Sequence, residues 1–186
     1  GGGMRTFWAL IALAALATGC TSAPAPDPSS LEALNRFAAR ADIRQAMIAA
    51  NADASHDHCV RENAQWLQEY PAPPPNGMIA ALLARPVSVQ LAADKQASAG
   101  RLVQLMVMDK AGCLIAADAK THDLDQSDEP KYQLTLGANR KTPSYEGAES
   151  RALGKIDQVS QALYDDKGAP LGVITLRWCP AQGGCG

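Results

Sequence analysis

The chain has 186 residues, 47% hydrophobic and 19% charged, with 17 Lys and Arg against 19 Asp and Glu and a formal net charge of −2. That balance excludes a nucleic-acid binder, whose footprint is a concentrated basic surface. The length is enough for one domain with a real hydrophobic core.

The first element in chain order is a leader. Gly1 to Gly3 carry no structural signal; Met4 and Arg5 then precede an apolar run from Phe7 to Ala17. The run falls short of the roughly 20 apolar residues that span a bilayer. Its order, basic then apolar then small, is that of a secretory signal. It ends Leu16-Ala17-Thr18-Gly19-Cys20, which resembles a lipobox, the motif whose cysteine takes a diacylglycerol and becomes the first mature residue. Cys20 is therefore the expected lipidation site, and residues 1–19 the expected signal peptide. Residues 20–29, rich in proline and small residues, read as a solvated tether. Thr21, in place of aspartate, points by analogy with other lipoproteins to the outer membrane.

The expected domain occupies residues 30–180, with a short tail over 181–186. Ser29 and Glu32 have capping-box spacing, and Leu31, Leu34, Phe37, Ala41, Met47 and Ile48 follow helical spacing. This predicts one long helix to about Asn51 with Arg36, Arg40 and Arg44 on a solvated side. A second helix is expected over 57–69, carrying Val60, Ala64 and Leu67 with Trp66, and a third over 78–83, halted before Pro86. Residues 101–109 and 113–117 then read as strands joined by the turn Asp109-Lys110-Ala111-Gly112, and residues 159–164 and 171–178 repeat that construction around Asp165-Asp166-Lys167-Gly168. Pro130 opens a short helix in the polar segment between the hairpins. Helices followed by an antiparallel sheet define an α+β class.

Besides Cys20 the chain has Cys59, Cys113, Cys179 and Cys185. In an oxidising envelope compartment an even set points to two disulfides whose connectivity stays open.

Several constellations bear on chemistry. Asp123-x-Asp125-x-Ser127 starts like a calcium loop, but Asp128 and Leu134 stand where glycine and glutamate are needed, so a solvated acidic loop is the better reading. His56-Asp57-His58-Cys59 has no second ligand cluster to complete a zinc site. Residues 147–155 do not have phosphate-loop spacing, and no serine or cysteine sits in a nucleophile context. No catalytic set, metal or cofactor is expected.

Val107-Met108-Asp109-Lys110-Ala111-Gly112, the segment from Thr121 to Tyr132, and the closing hairpin from Gln158 to Ile174 resemble Cache domains, the extracellular PAS-like sensors also called PDC domains. The likeness covers about residues 30 to 178, and its specific part is Thr121-His122-Asp123-Leu124-Asp125-Gln126-Ser127-Asp128-Glu129-Pro130-Lys131-Tyr132. Leu124 and Ser127 depart from the aromatic residue and glycine usual there. The resemblance implies an N-terminal helix packed along a twisted antiparallel sheet, with a ligand cavity between sheet and connecting loops. The tyrosine–arginine–tryptophan pattern by which some Cache domains hold amino acids is missing. Trp66, Met106, Met108, Tyr132, Tyr145 and Tyr164 are pocket candidates for their apolar bulk, and Asp123 for its place in the family-like segment. The expectation is a periplasm-facing lipoprotein that binds a small solute and signals through a separate membrane protein. The alternative is a ligand-free structural or assembly lipoprotein.

Overall fold

The computed structural model describes residues 25–150, 153–181, 184 and 185. The leader, Cys20 and most of the tether lie outside the described residues.

Helix α1 spans Pro28–Ala38. Its N-cap is Asp27, whose side chain accepts the Ser29 N–H at 2.9 Å, with Pro28 at the first helical position. The expected Ser29 capping box is thus replaced. Ser29 Oγ instead accepts hydrogen bonds from Arg101 Nη2 at 2.8 Å and Trp178 Nε1 at 3.1 Å. The expected single helix is two. The backbone turns extended at Arg40, and α2 runs Ala41–Ala50. Arg40 ends up between two carboxylates, Asp42 and Asp94, and Arg44 donates to the Tyr164 carbonyl at 2.6 Å. Of the three arginines expected in solvent, only Arg36 points outward, paired with Glu32 one turn away.

Helix α3 spans His56–Glu69, capped by Ser55. It buries Cys59 and Trp66, while Val60 and Leu67 are 47% and 40% exposed. Helix α4 spans Gly77–Leu83. Pro86, read as a stop, instead opens α5, Pro86–Ala97.

The strands are β1 (Leu102–Asp109), β2 (Leu114–Ala117), β3 (Ser144–Ser150), β4 (Gly154–Tyr164) and β5 (Pro170–Trp178), with α6, Pro130–Gln133, before β3. They form one antiparallel sheet in the order β2-β1-β5-β4-β3. Helices on an antiparallel sheet make the class α+β, as expected, with an N-terminal helix packed on the sheet. Strand β3 was missed in the sequence. At Gly172, φ is +157° and an added Cβ would lie 2.0 Å from the Met108 carbonyl oxygen, so only glycine lets β5 approach β1 there.

Alternation sorts the side chains to two faces. Leu105, Val107, Val159, Ile174, Leu176 and Trp178 face α1, α2 and α5 in one apolar cluster. Met106, Met108 and Val173 face the other way and join Trp66, Ile79, Leu82 and Leu124 in a second. The cysteines pair Cys59 with Cys113 and Cys179 with Cys185. The first bridge ties α3 to the entry of β2; the second closes the segment after β5. Among the described residues no helix is long and apolar enough to cross a membrane.

Candidate functional site

The sheet face away from α1 changes character along its strands. The register places Met108, Val173 and Ala162 in one cross-strand row. The next row is Met106, Thr175, Ser160 and Ser144, and the one after it Gln104, Arg177, Gln158 and Glu146. The face thus passes from apolar, through hydroxyl, to amide and charge within five residues of β1. The first row is sealed by packing. In the second, the buried Ser160 and Thr175 hydroxyls bond each other at 2.9 Å, and buried Ser144 Oγ has no partner among the described residues. Over the third row lies an open cleft of about 320 Å³, walled by Gln104, Gln158 and Arg177 from the sheet and by residues of the segment 120–131.

That segment is held by side-chain-to-backbone hydrogen bonds. The fully buried Trp66 donates its indole N–H to the Thr121 carbonyl at 3.0 Å. Thr121 Oγ1 and Gln126 Nε2 both donate to the Asp123 carbonyl, at 2.7 and 2.6 Å. Asn63 Oδ1 accepts the N–H groups of Leu124 and Asp125, and Leu124 is buried beneath. A loop so fixed is a rigid wall.

The wall carries charge of both signs. Lys120 Nζ donates to the Tyr70 carbonyl at 2.8 Å and sits 4.8 Å over that tyrosine's ring. His122 Nδ1 lies 2.9 Å from Asp123 Oδ2, its ring edge-on to Tyr70. Lys131 is only 8% exposed, with its ammonium 3.7 Å from Glu129 Oε2. Gln158 Nε2 donates to Glu146 at 2.7 Å. Arg177 is different: its half-buried guanidinium has neither hydrogen-bond acceptor nor carboxylate among the described residues. An arginine in the middle of a sheet normally finds a carboxylate or carbonyl, because its five donors are costly to leave unmet.

Of the pocket candidates read from sequence, Met106 and Asp123 line this cleft. Trp66 does not; it supports the wall from behind. Met108 is fully enclosed. Tyr132 packs beside the second apolar cluster and donates to the Lys110 carbonyl at 2.9 Å. Burial, then the charges of Asp109 and Asp125, raise its pKa. Tyr145 lies on the opposite, helix-covered face, its hydroxyl 3.3 Å from Asp157. Burial and then Asp157 raise its pKa. Tyr164 meets Asn139 and Arg140 at the surface. Sequence reading missed Gln104, Lys120, Lys131, Gln158 and Arg177. One signal was available: Gln104 and Arg177 are polar interruptions of apolar strands, and polar residues at a core-facing period mark something other than packing.

The chain matches no protein-family model and no curated protein. In fold it is similar to sensory domains among solved structures. The extracellular domain of rpHK1S-Z16, described as a histidine kinase, is 19% identical with a TM-score of 0.41; the match covers 81% of this chain and 57% of that one. The sensory domain of the Campylobacter jejuni chemoreceptor Tlp3, with isoleucine bound, is 17% identical with a TM-score of 0.37, over 82% and 63%. The ligand-binding domain of the Pseudomonas aeruginosa PAO1 amino acid chemoreceptor PctC, in complex with GABA, is 17% identical with a TM-score of 0.33, over 81% and 60%. This chain therefore spans less than two thirds of the length of each.

Proposed function

We propose that the protein is an envelope sensor whose cleft binds a small carboxylate-bearing solute. The observation that carries this reading is the unpartnered guanidinium of Arg177 between Gln104 and Gln158. A carboxylate would accept its fork in two parallel hydrogen bonds, and the two amides would satisfy the remaining oxygen lone pairs. Lys131 and Lys120 add positive potential. Asp123 and Glu129 suit a ligand that also carries an ammonium group. Polar anchors converging on one concave site are what fix a small ligand's orientation.

In this reading Cys20 carries the lipid that holds the domain at the outer membrane, and residues 20–29 form its tether. A lipid transmits nothing through a bilayer, so the bound state is passed to a separate membrane protein. Binding shifts that contact only through differential affinity for two conformations.

Calorimetric titration with dicarboxylates, α-amino acids and γ-aminobutyrate tests the cleft. The expected result is saturable binding by at least one carboxylate, lost in Arg177→Ala. A folded Arg177→Ala chain that binds the same solute unchanged would overturn the assignment. Replacing Cys20 with Ser should release the chain from membranes in folded form; a chain that stays membrane-bound removes the lipid anchor from the proposal. The rival, a ligand-free interaction lipoprotein, draws on the sealed row of Met108, Val173 and Ala162 on the same face, and it predicts no binding in a broad screen.

A further inference from the structure

A second cavity, of about 730 Å³, opens elsewhere, among α2, the start of α3, the start of α5 and β2. It shares no residue with the cleft around Arg177. Its walls are mostly apolar: Ala46, Ala49 and Ala50 from α2, Val87 from α5, Ile115 from β2, and the Cys59–Cys113 disulfide. The volume is that of a small-molecule site rather than a packing gap.

The charge around it is one-sided. Asp42, Asp53, Glu62 and Asp109 line it against two basic side chains, His58 and Arg85. His58 faces Glu62 at 3.3 Å, and Arg85 Nη1 is spent on the Ile115 carbonyl at 2.9 Å. Asp42 is neutralised by Arg40. Asp109 is the outlier. It is only 5% exposed, and its Oδ1 accepts the N–H groups of Ala111 and Cys113 at 2.8 and 3.0 Å. The Gly112 N–H and the charge of neighbouring Lys110 also favour its ionised form, but among the described residues no ammonium or guanidinium lies within ion-pair distance of it, and the Lys110 ammonium goes to the Asn51 carbonyl. A buried carboxylate without a direct ion-pair partner is expensive.

We infer that this cavity is a binding site for a small organic cation with an apolar body, an alkyl- or arylamine whose ammonium meets Asp109 while its body lies along the α2 alanines and Val87. An amine supplies the missing counter-charge, and the alanines leave room for the hydrocarbon. An anion of the same shape would meet Asp109 and Asp53, which have no ion pair among the described residues. The site is independent of the cleft, so either can fail without the other.

The test is calorimetric titration of the full chain carrying Arg177→Ala, which removes the carboxylate anchor from the other cleft. The probes are 2-phenylethylamine and 3-phenylpropionate, of similar shape and opposite charge. The amine is expected to bind saturably and the anion not at all. Asp109→Asn keeps Oδ1 for the turn and removes the charge, and should weaken the amine by about tenfold or more. Ala49→Trp, at an exposed position on the cavity wall, should abolish binding without altering the circular dichroism. Equal affinity for both probes, no amine binding, or an unchanged affinity in Ala49→Trp would each overturn the inference. So would amine binding seen only when Arg177 is restored. If Ala49→Trp changes only self-association in sedimentation velocity, the groove is a protein contact and the inference also fails.

Discussion

The two faces of the sheet are made by the same strands and solve different problems. Towards α1, α2 and α5, the rows read Leu105-Leu176-Val159 and Val107-Ile174-Gln161, hydrocarbon except for the Gln161 amide. On the reverse, the rows grade from Met108-Val173 through Thr175-Ser160 to Gln104-Arg177-Gln158. Helices can cover the first face because apolar burial is non-directional and needs only volume and shape. Polar side chains need partners in set directions, and nothing in the described chain supplies one to Arg177. Each face keeps one buried side-chain oxygen without a partner among the described residues, Gln161 Oε1 under the helices and Ser144 Oγ on the reverse; what sets the reverse face apart is the row of polar side chains that ends at Arg177.

Consecutive residues of β5 let the contrast be broken one face at a time. Leu176→Ala empties a fully buried site under the helices and should cost about 2–5 kcal/mol in urea unfolding. Removing the Cys59–Cys113 bridge with a paired serine replacement should cost about 2–4 kcal/mol; its partners are 54 residues apart, so it restrains the unfolded chain far more than Cys179–Cys185, with a separation of 6. Thr175→Val, one residue from Leu176 but on the reverse face, leaves the Ser160 hydroxyl unpaired and should cost about 1–3 kcal/mol.

The acids sharpen the comparison through pH. Burial raises the pKa of Asp109 above its unfolded value, so its folded form prefers the proton. That contribution favours folding in acid and is lost as pH rises through the folded pKa. Asp109→Asn should therefore be more stable than the parent at neutral pH, with the gap closing as pH falls through that range. Asp42 has the opposite sign: its hydrogen bonds from Arg40 hold its pKa below 3.8, so its contribution is present above the unfolded value and fades as pH falls through the folded one. Melting curves of Asp109→Asn, Asp42→Asn and the parent between acid and neutral pH would show the two trends, and parallel curves would refute them. Arg177→Ala should move stability least, within about 0.5 kcal/mol, while abolishing carboxylate binding.

The same contrast explains what could be read from residues alone. Strands β1, β2 and β5 are apolar runs bounded by Asp/Gly turns, and those signals are local. Strand β3 reads Ser-Tyr-Glu-Gly-Ala-Glu-Ser; it sits at the sheet edge, pairs on one side only, and has no alternation to announce it. The break between α1 and α2 has no proline or glycine. It occurs where Arg40 reaches Asp94, 54 residues away, and no local pattern encodes such a partner. Pro86 was ambiguous because proline both ends one helix and begins the next. In α3 Trp66 was legible as one of the apolar residues, but Val60 and Leu67 point outward because the Cys59 disulfide and the Trp66 indole decide the buried side. The cleft was partly legible. Met106 and Asp123 were reachable through strand alternation and the family-like segment. Arg177 needed the register of three strands before its position meant anything.

The attachment of the N-terminal segment to the sheet has one more consequence, for folding fidelity. Buried Asp157 accepts hydrogen bonds from the Asp27 N–H and Ser30 Oγ, both at 2.7 Å, and from Tyr145. Its neighbour Gln158 points the other way, into the cleft opposite Arg177. Sliding β4 by one residue would exchange the two faces. Asp157 would then arrive beside the unpaired guanidinium, and an internal ion pair would occupy the proposed anchor. The three donors gathered at Asp157 therefore act as a register lock: they hold this carboxylate on the opposite side of the sheet and leave Arg177 free for the carboxylate ligand proposed above.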